Sequence, residues 1–182
     1  MLAIVLFLTA IGLVLGSFIS ALTWRIHNQK DWVKGRSQCP SCAQKLAAID
    51  LVPLFSWLLL RGRCRYCSKP ISWQYPATEV GTAAVFTLSY IFWPGGVNTS
   101  GDWALFITWS AAWVGLIALL MYDARWFLLP NKILYPTAVV AVAGRLIYLL
   151  GFETDKLGAT VSWILSLVVA SGFFWLLYVV SS

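Results

Sequence analysis

The sequence predicts an all-α polytopic membrane protein with about five transmembrane helices and one small polar insert. Of its 182 residues, 60% are hydrophobic and 11% are charged, and the mean hydropathy is +0.78. A soluble domain has roughly a quarter charged residues, so this chain lacks the polar side chains that would cover a water-facing surface. The apolar residues form five long runs, and nine of the thirteen Lys and Arg residues fall between positions 25 and 69. We therefore expect lipid to surround most of the chain.

The five apolar runs are the predicted membrane helices. A helix needs about 20 mainly apolar residues to cross the hydrocarbon core, and lipid offers no hydrogen-bonding partner to a non-helical backbone. The runs cover residues 1–24, 75–93, 103–122, 133–150 and 157–180. Glu79 lies near the start of the second run, and Arg145 lies close enough to the end of the fourth to reach the interface. Gly12 and Gly16 in the first run are expected to allow close helix packing.

The first run is predicted to be an uncleaved anchor with its N-terminus outside. A secretory signal peptide has a basic start and a shorter apolar run, whereas here the basic residues follow the run. Basic loops remain in the cytoplasm. The predicted division is transmembrane helix 1 at 1–24, a cytoplasmic basic zinc-binding insert at 25–74, and transmembrane helices 2–5 at 75–182. Polybasic stretches also occur in nucleic-acid-binding proteins, but membrane orientation accounts for this one, and we predict no nucleic acid partner.

All four cysteines lie in the insert, as two C-x-x-C pairs. The pairs are Cys39 with Cys42 and Cys64 with Cys67. Two such pairs about twenty residues apart have the spacing of a tetrahedral zinc site, because each pair forms a knuckle that directs two sulfurs at one point. Two disulfides are the alternative, but cytosolic thiols stay reduced. We therefore predict a structural zinc ribbon whose four ligand positions are filled, with none left for a reacting water.

Asp123, just after the third run, is the candidate catalytic residue. An ionisable side chain near membrane depth is costly and is often functional, although a surface ion pair with Arg125 or Lys132 is the alternative explanation. Proteolysis by carboxylates needs two of them, one ionised to take a proton from water and one protonated to polarise the scissile carbonyl. Glu79 is a candidate supporting residue, because it begins the second run on the same side of the membrane. Four other aspartates are expected to be external or in the insert: Asp31, Asp50, Asp102 and Asp155.

A series of short motifs follows the same order as these features. It comprises Gly12-Leu13-Val14-Leu15-Gly16-Ser17-Phe18 with Arg25, the paired cysteines, Pro53, Ser56, Arg61-Gly62-Arg63-Cys64, Ile71-Ser72, Tyr75-Pro76, Glu79, and Asp123 seven residues before Pro130-Asn131. The series resembles that of the bacterial prepilin peptidases, the type IV prepilin leader peptidase and N-methyltransferase family. One departure is Ser20, where the family usually has Asn.

The resemblance implies an intramembrane-type aspartic endopeptidase in the bacterial inner (cytoplasmic) membrane, multi-pass and with its active site facing the cytoplasm. Members of this family cleave leader peptides from type IV prepilins and pseudopilins of pili and type II secretion systems. Most then methylate the new N-terminus with S-adenosylmethionine. By resemblance, Asp123 is the first catalytic aspartate. The second normally follows the span at 157–180 in a G-x-G-D motif, so the partner aspartate is not in this chain, and we expect the natural protein to continue past Ser182.

A non-catalytic function is the main alternative. It is a membrane-anchored zinc-ribbon protein that binds a partner or anionic lipid through its basic surface. Such a protein would tolerate the loss of Asp123 and fail when its Arg and Lys residues were neutralised. A transporter or channel component is disfavoured, because the predicted spans carry few polar residues beyond scattered Ser and Thr.

Overall fold

The named elements are all helices in the part of the chain that the structure, a computed structural model, describes. That part is residues 1–31, 36–152, 157–158, 160–166 and 168. Its elements are α1 (Leu2–His27), a 3₁₀ turn (Ala48–Leu51), α2 (Phe55–Leu59), α3 (Gln74–Ile91), α4 (Ser100–Trp126) and α5 (Asn131–Gly151). Two isolated β-bridges occur within the insert between α1 and α3. The predicted all-α membrane fold with a small cysteine-bearing insert is confirmed.

The number of predicted membrane spans was too high for the described residues. Three helices there are long and apolar enough to cross a membrane, namely α1, α4 and α5. The second predicted span is the helix α3, which is not among the three, because polar side chains such as Gln74, Thr78 and Glu79 interrupt its apolar surface. The fifth predicted span lies mostly outside the described residues, and its residues 157–158, 160–166 and 168 are helical.

α1 packs closely against α3 through two glycines that lie one turn apart. A Cβ atom on Gly12 would collide with the backbone of Ala83, and one on Gly16 would collide with the backbone of Glu79. Small residues allow helix backbones to approach in this way, so that van der Waals contact replaces the hydrophobic driving force that lipid does not provide. The α1–α3 contact therefore fixes the depth of Glu79 in the bundle.

α4 and α5 form a second pair built on the same principle. Gly115 of α4 faces Thr137 of α5, and Gly144 of α5 faces Thr108 of α4, each with no room for a Cβ atom. The two pairs meet at Met121 of α4. The hydroxyl oxygens of three residues from α1 and α3 lie 3.4–3.8 Å from its sulfur: Ser20, Thr23 and Thr78. This contact lies at the end of the bundle that carries the insert.

Candidate functional site

The four cysteines form a single cluster in the insert. All four sulfurs, those of Cys39, Cys42, Cys64 and Cys67, lie within 4.8 Å of one another, and all four are free thiols. A tetrahedral site with metal–sulfur bonds of about 2.3 Å has sulfurs about 3.8 Å apart. The Sγ atoms of Cys39 and Cys67 are 3.9 Å apart. The cluster can therefore accept a four-coordinate metal with little movement of the backbone.

The two C-x-x-C pairs fold in the same way. In the first knuckle, the N–H of Cys39 donates to the carbonyl of Gln44, and the N–H of Ala43 donates to the carbonyl of Cys39. The second knuckle repeats both bonds at Cys64, Lys69 and Ser68. Ala43 and Ser68 both have positive φ, at 57° and 55°. Each knuckle is thus a tight turn closed by its own backbone, which directs two sulfurs toward the other knuckle.

Crowding of the sulfurs changes the acidity of two thiols. Burial raises the pKa of Cys39, but the backbone N–H groups of Cys42 and Ser41 outweigh it and lower the pKa to about 7. At Cys67 the backbone N–H of Lys69 lowers the pKa, but burial and the neighbouring thiols together raise it to about 11. Metal binding needs deprotonated sulfurs and releases their protons. The two pKa values therefore move in opposite directions, and hydrogen bonds with neighbouring thiols contribute to both shifts.

Asp50 holds the second knuckle against the 3₁₀ turn. Its carboxylate accepts from Arg65 Nε at 2.6 Å, from the Tyr66 hydroxyl at 2.9 Å and from the N–H of Ala47 at 3.1 Å. Burial raises the pKa of Asp50, but these donors, Arg65 first, hold it below its usual value. The same bond raises the pKa of Tyr66, because the hydroxyl proton is shared with a carboxylate. Asp50 is therefore a structural residue of the insert.

Asp123 lies on the last turn of α4 and is exposed. The helix continues to Trp126 and ends at Phe127, whose φ of 53° is left-handed and whose N–H donates to the carbonyl of Asp123. In the described part of the chain, the Asp123 carboxylate forms no ion pair. Arg125 instead donates to Gln74 Oε1 at 2.7 Å, on α3. The carboxylate at Asp123 is thus left available at the helix end.

An aromatic cluster lies beside Asp123 and was not predicted from the sequence. His27, the only histidine of the chain, stacks on Trp126 with ring centroids 4.0 Å apart. Its Nδ1 lies 3.4 Å from the hydroxyl of Tyr122. These contacts join the end of α1 to the end of α4 on both sides of Asp123. A single histidine immediately after an apolar run was the available signal, but its partners are about a hundred residues away in sequence.

Glu79 is directed toward the insert, and no contact joins it to Asp123 among the described residues. Its residue surface is 7% exposed, and its Oε2 accepts a 2.6 Å hydrogen bond from the N–H of Leu54. Ser17 of α1 also hydrogen-bonds the carboxylate. A buried carboxylate needs such donors, because its desolvation is otherwise costly. Glu79 thus connects α1, α3 and the insert at one point.

A cavity of about 350 Å³ separates the insert from α1 and α3. Three aromatic residues line it, one from each neighbouring helix: Trp24, Trp57 and Tyr75. Glu79 and Arg125 also line it, as do Cys39 and Cys64 of the metal-ligand cluster. Asp123 is not part of the lining. The insert, which contains the four cysteines, therefore forms one wall of a partly open cavity that was not predicted from the sequence.

Comparison with known proteins identifies the N-terminal half of the chain. Residues 10–93 match the family described as Bacterial Peptidase A24 N-terminal domain. This match contains most of α1, the entire insert and α3. It therefore includes both knuckles, Glu79 and most of the cavity wall, but not Asp123. No solved structure matches the chain.

Curated proteins similar to the chain bear related names. A type 4 prepilin-like proteins leader peptide-processing enzyme of Escherichia coli is 34% identical over 133 residues, covering 63% of this chain and 48% of the relative. A prepilin leader peptidase/N-methyltransferase of Vibrio cholerae is 33% identical over 140 residues, covering 72% and 52% respectively. One from Bacillus subtilis is 31% identical over 162 residues, covering 88% and 62%. The chain thus spans about half the length of the curated relatives it matches, and the resemblance drawn from its motifs is confirmed.

Proposed function

We propose that the protein, whose residues 10–93 match the family described as Bacterial Peptidase A24 N-terminal domain, processes type IV prepilins or pseudopilins. It would cleave their leader peptides and methylate the new N-terminus. The observation that best supports cleavage is the exposed carboxylate of Asp123, which no ion pair occupies in the described part of the chain. It lies at the end of the bundle where the insert also lies.

The proposed cleavage uses a pair of aspartates. Asp123 is one member, and a second aspartate from outside these 182 residues is the other. One carboxylate takes a proton from water while the other, protonated, polarises the scissile carbonyl, because two close carboxylates cannot both ionise cheaply. The contacts of Trp126 with His27 and of Arg125 with Gln74 fix the turn that carries Asp123. Such anchoring supports a catalytic role, since a reacting group must be held in place.

We further propose a multi-pass arrangement in the inner membrane with Asp123 facing the cytoplasm. The basic insert and Asp123 lie at the same end of the bundle, and basic segments remain on the cytoplasmic side. A precursor whose apolar segment lies in the bilayer would then present its leader junction at the membrane boundary. In this arrangement the substrate reaches Asp123 laterally from the lipid.

Two cofactors belong to this proposal. Zinc on the four cysteines would be structural, because all four ligand positions are filled and no position remains for a reacting water. S-adenosylmethionine would supply the methyl group. In that transfer an N–C bond forms at the free amine of the processed protein as the donor's S–CH₃ bond breaks, S-adenosylhomocysteine leaves, and the amine proton passes to solvent.

The test of cleavage is Asp123→Asn in the native gene product. Asparagine has nearly the same shape but cannot accept the proton, so we expect leader cleavage to fall by at least a thousandfold, on the order of a lost acid–base group. The matched control is Asp102→Asn at the other end of α4, where Asp102 caps the helix through Thr99. The side-chain oxygen of asparagine can still accept from the N–H of Thr99, and the position is remote from Asp123, so this variant should cleave normally. Retained cleavage by Asp123→Asn would refute the assignment.

A further inference from the structure

An apolar patch covers the part of the insert that contains the 3₁₀ turn and α2. Six large side chains there are between 40% and 81% exposed in the described structure: Ile49, Leu51, Val52, Phe55, Leu58 and Leu59. The 3₁₀ turn and α2 contact each other, so these side chains belong to one surface, here called the insert patch. Water-facing surfaces rarely expose large apolar side chains in such a group, and a group of this kind marks a site of interaction.

α2 presents its apolar side chains outward because another side of the helix is fixed to the second knuckle. Phe55, Leu58 and Leu59 have the i, i+3, i+4 spacing that places side chains on one helix face. Trp57 lies on a different side, and its Nε1 donates to the carbonyl of Ile71 at 3.2 Å. Trp57 thus holds α2 in the orientation that exposes the other three side chains.

The insert patch lies beside the membrane-spanning part of α1. The N–H of Leu54 donates to Glu79, whose backbone lies against Gly16 of α1. Gly16 comes about 16 Å before the end of α1 at His27, at about 1.5 Å per residue. The 26 residues of α1 extend about 39 Å, whereas the hydrocarbon core is about 30 Å thick. Even with all of this excess length on the insert's side, Gly16 would lie about 7 Å inside the core.

The surface of α1 at this level is apolar and exposed as well. Val14 and Phe18, which flank Gly16 in sequence, are both exposed, and α1 is a candidate membrane span. A helix that spans a bilayer exposes such side chains to acyl chains, because lipid tails are as apolar as they are. The insert patch therefore meets the same apolar surroundings at the same depth.

Basic residues flank the insert patch on both sides in sequence. Residues 36–73 contain six Arg and Lys residues and one acidic residue, Asp50, which forms an ion pair with Arg65. A divalent metal on four thiolates would lower the charge by two and leave the insert positive. Arg61 and Arg63, just after α2, are exposed. An apolar surface with a basic rim is typical of an element that lies in the membrane interface and attracts anionic lipid.

We propose that the insert patch is immersed in the bilayer leaflet on its own side of the membrane, with Arg61 and Arg63 at anionic phospholipid head groups. The insert is then a monotopic membrane element and not a domain surrounded by water. The bilayer supports it from outside, while the bond between Glu79 and Leu54 holds it from inside. The proposal requires that the chain lies in a bilayer, but it does not depend on prepilin processing.

The test is photo-crosslinking of the 182-residue chain in nanodiscs of phosphatidylcholine and phosphatidylglycerol in equal amounts. Leu59, the most exposed residue of the patch, is replaced by p-benzoylphenylalanine, and mass spectrometry detects phospholipid added to its peptide after irradiation. We expect a yield comparable with that from the same replacement at Leu6, an exposed residue of the α1 span. The matched control is Gln44, an exposed polar residue of the first knuckle, where the yield should be about fivefold lower or less.

A second labelling position guards against a folding defect. Phe55 is already aromatic and belongs to the same exposed face as Leu59, so the label there changes the side chain least. Amide exchange across residues 62–70, compared with the unlabelled chain, reports whether the second knuckle is still folded.

The identity of the crosslinked lipid tests the basic rim. One basic side chain near an anionic surface favours it by a factor of about five, so phosphatidylglycerol should outnumber phosphatidylcholine about fivefold among the adducts. The double variant Arg61→Gln, Arg63→Gln should bring this ratio close to that of the bilayer. Arg145→Gln is the control, because Arg145 lies on α5 and should leave the ratio unchanged.

Several results would overturn the inference. Lipid yields at Leu59 and Phe55 no higher than at Gln44 would show that water covers the patch. Crosslinks to a second copy would mark a dimer interface, and crosslinks within the chain would show that another segment covers the patch. An excess of phosphatidylglycerol that survives the double variant would refute the role of the two arginines. None of these measurements uses a prepilin, so they are distinct from failure of the proposed function.

Discussion

The hydrogen bond between Glu79 and Leu54 is predicted to hold the insert against the membrane helices. Leu54 has φ 61° and ψ −51°, and the N–H of Phe55 donates to the carbonyl of Pro53 at 2.6 Å, which makes a γ-turn. A γ-turn with positive φ is rare and strained. The N–H at the centre of this turn donates to the buried carboxylate of α3. Replacing Glu79 with Leu removes the acceptor while keeping an apolar side chain of similar size.

The balance of two energies gives the size of the effect. A strained residue costs on the order of 1–3 kcal/mol, and a hydrogen bond to a charged group contributes about 1.5–3 kcal/mol. Because the two are comparable, the turn at Leu54 is no longer favoured once the carboxylate is gone. Each 1.4 kcal/mol corresponds to a factor of ten. We therefore expect amide exchange at Leu54 and in α2 to become roughly 10- to 100-fold faster in Glu79→Leu.

Hydrogen–deuterium exchange with mass spectrometry checks this on peptides that cover residues 52–60, with the chain in nanodiscs. The matched control is Thr82→Val, because Thr82 is fully buried on the same helix but donates only within it, to the carbonyl of Thr78. Glu79→Gln should remain protected, since its amide oxygen still accepts. Leu54→Gly in the Glu79→Leu background should restore part of the protection, because glycine adopts positive φ without strain. Unchanged exchange in Glu79→Leu would refute the reasoning.

Three further predictions concern the insert and the helix pair. Cobalt bound to four cysteine thiolates gives an absorption band that reports the intact cluster. Cys64→Ser should abolish this band, whereas Ser68→Ala should keep it, because Ala43 occupies the equivalent position in the first knuckle. Gly16→Ala should lower the free energy of unfolding by about 1–3 kcal/mol, because the added methyl group overpacks against α3. Gly81→Ala is the control: nothing lies within 4 Å of its added methyl group, so the free energy of unfolding should stay unchanged or rise by up to about 1 kcal/mol. Tryptophan fluorescence during denaturation measures both variants. The Asp50 carboxylate has a lowered pKa in the folded insert, so its stabilising contribution is full above its unfolded-state pKa of about 4 and is lost as the pH falls through the lower folded-state pKa. The stability difference between wild type and Asp50→Asn should therefore be largest near neutral pH and disappear in acid. It should be at most about 1 kcal/mol, because the Arg65 side chain is 45% exposed and solvent screens its charge. A difference that grew toward low pH would contradict the direction of the pKa shift.

The cysteine cluster could be predicted from sequence because its geometry is local. Each knuckle closes through bonds between residues five apart or fewer, such as Cys39 with Gln44, and the spacing of the pairs is visible in the chain. The helix pairing of α1 with α3 was partly visible through Gly12 and Gly16. The prediction of a membrane span was wrong at α3, because polar residues such as Glu79 make this helix less apolar than the three candidate spans.

The cavity and the role of Glu79 depend on contacts that the sequence does not encode locally. A charge in an apolar run signals a partner but not which one, and the partner of Glu79 is a backbone N–H 25 residues earlier in the chain. Likewise His27 finds Trp126 only because α1 and α4 end at the same level. Whether Asp123 has a catalytic partner stays a prediction, since that partner is placed outside these 182 residues.

The two helix pairs are held together at the end of the bundle where the cavity and Asp123 both lie. α1 and α3 carry the insert and the cavity, whereas α4 carries Asp123. Three contacts join them there: the hydroxyls around Met121, the stacking of His27 on Trp126, and the bond from Arg125 to Gln74. Arg125 links the cavity to the end of α4, since it lines the cavity and lies two residues from Asp123. The position of Asp123 therefore depends on contacts that α4 makes with α1 and α3 as well as on α4 itself.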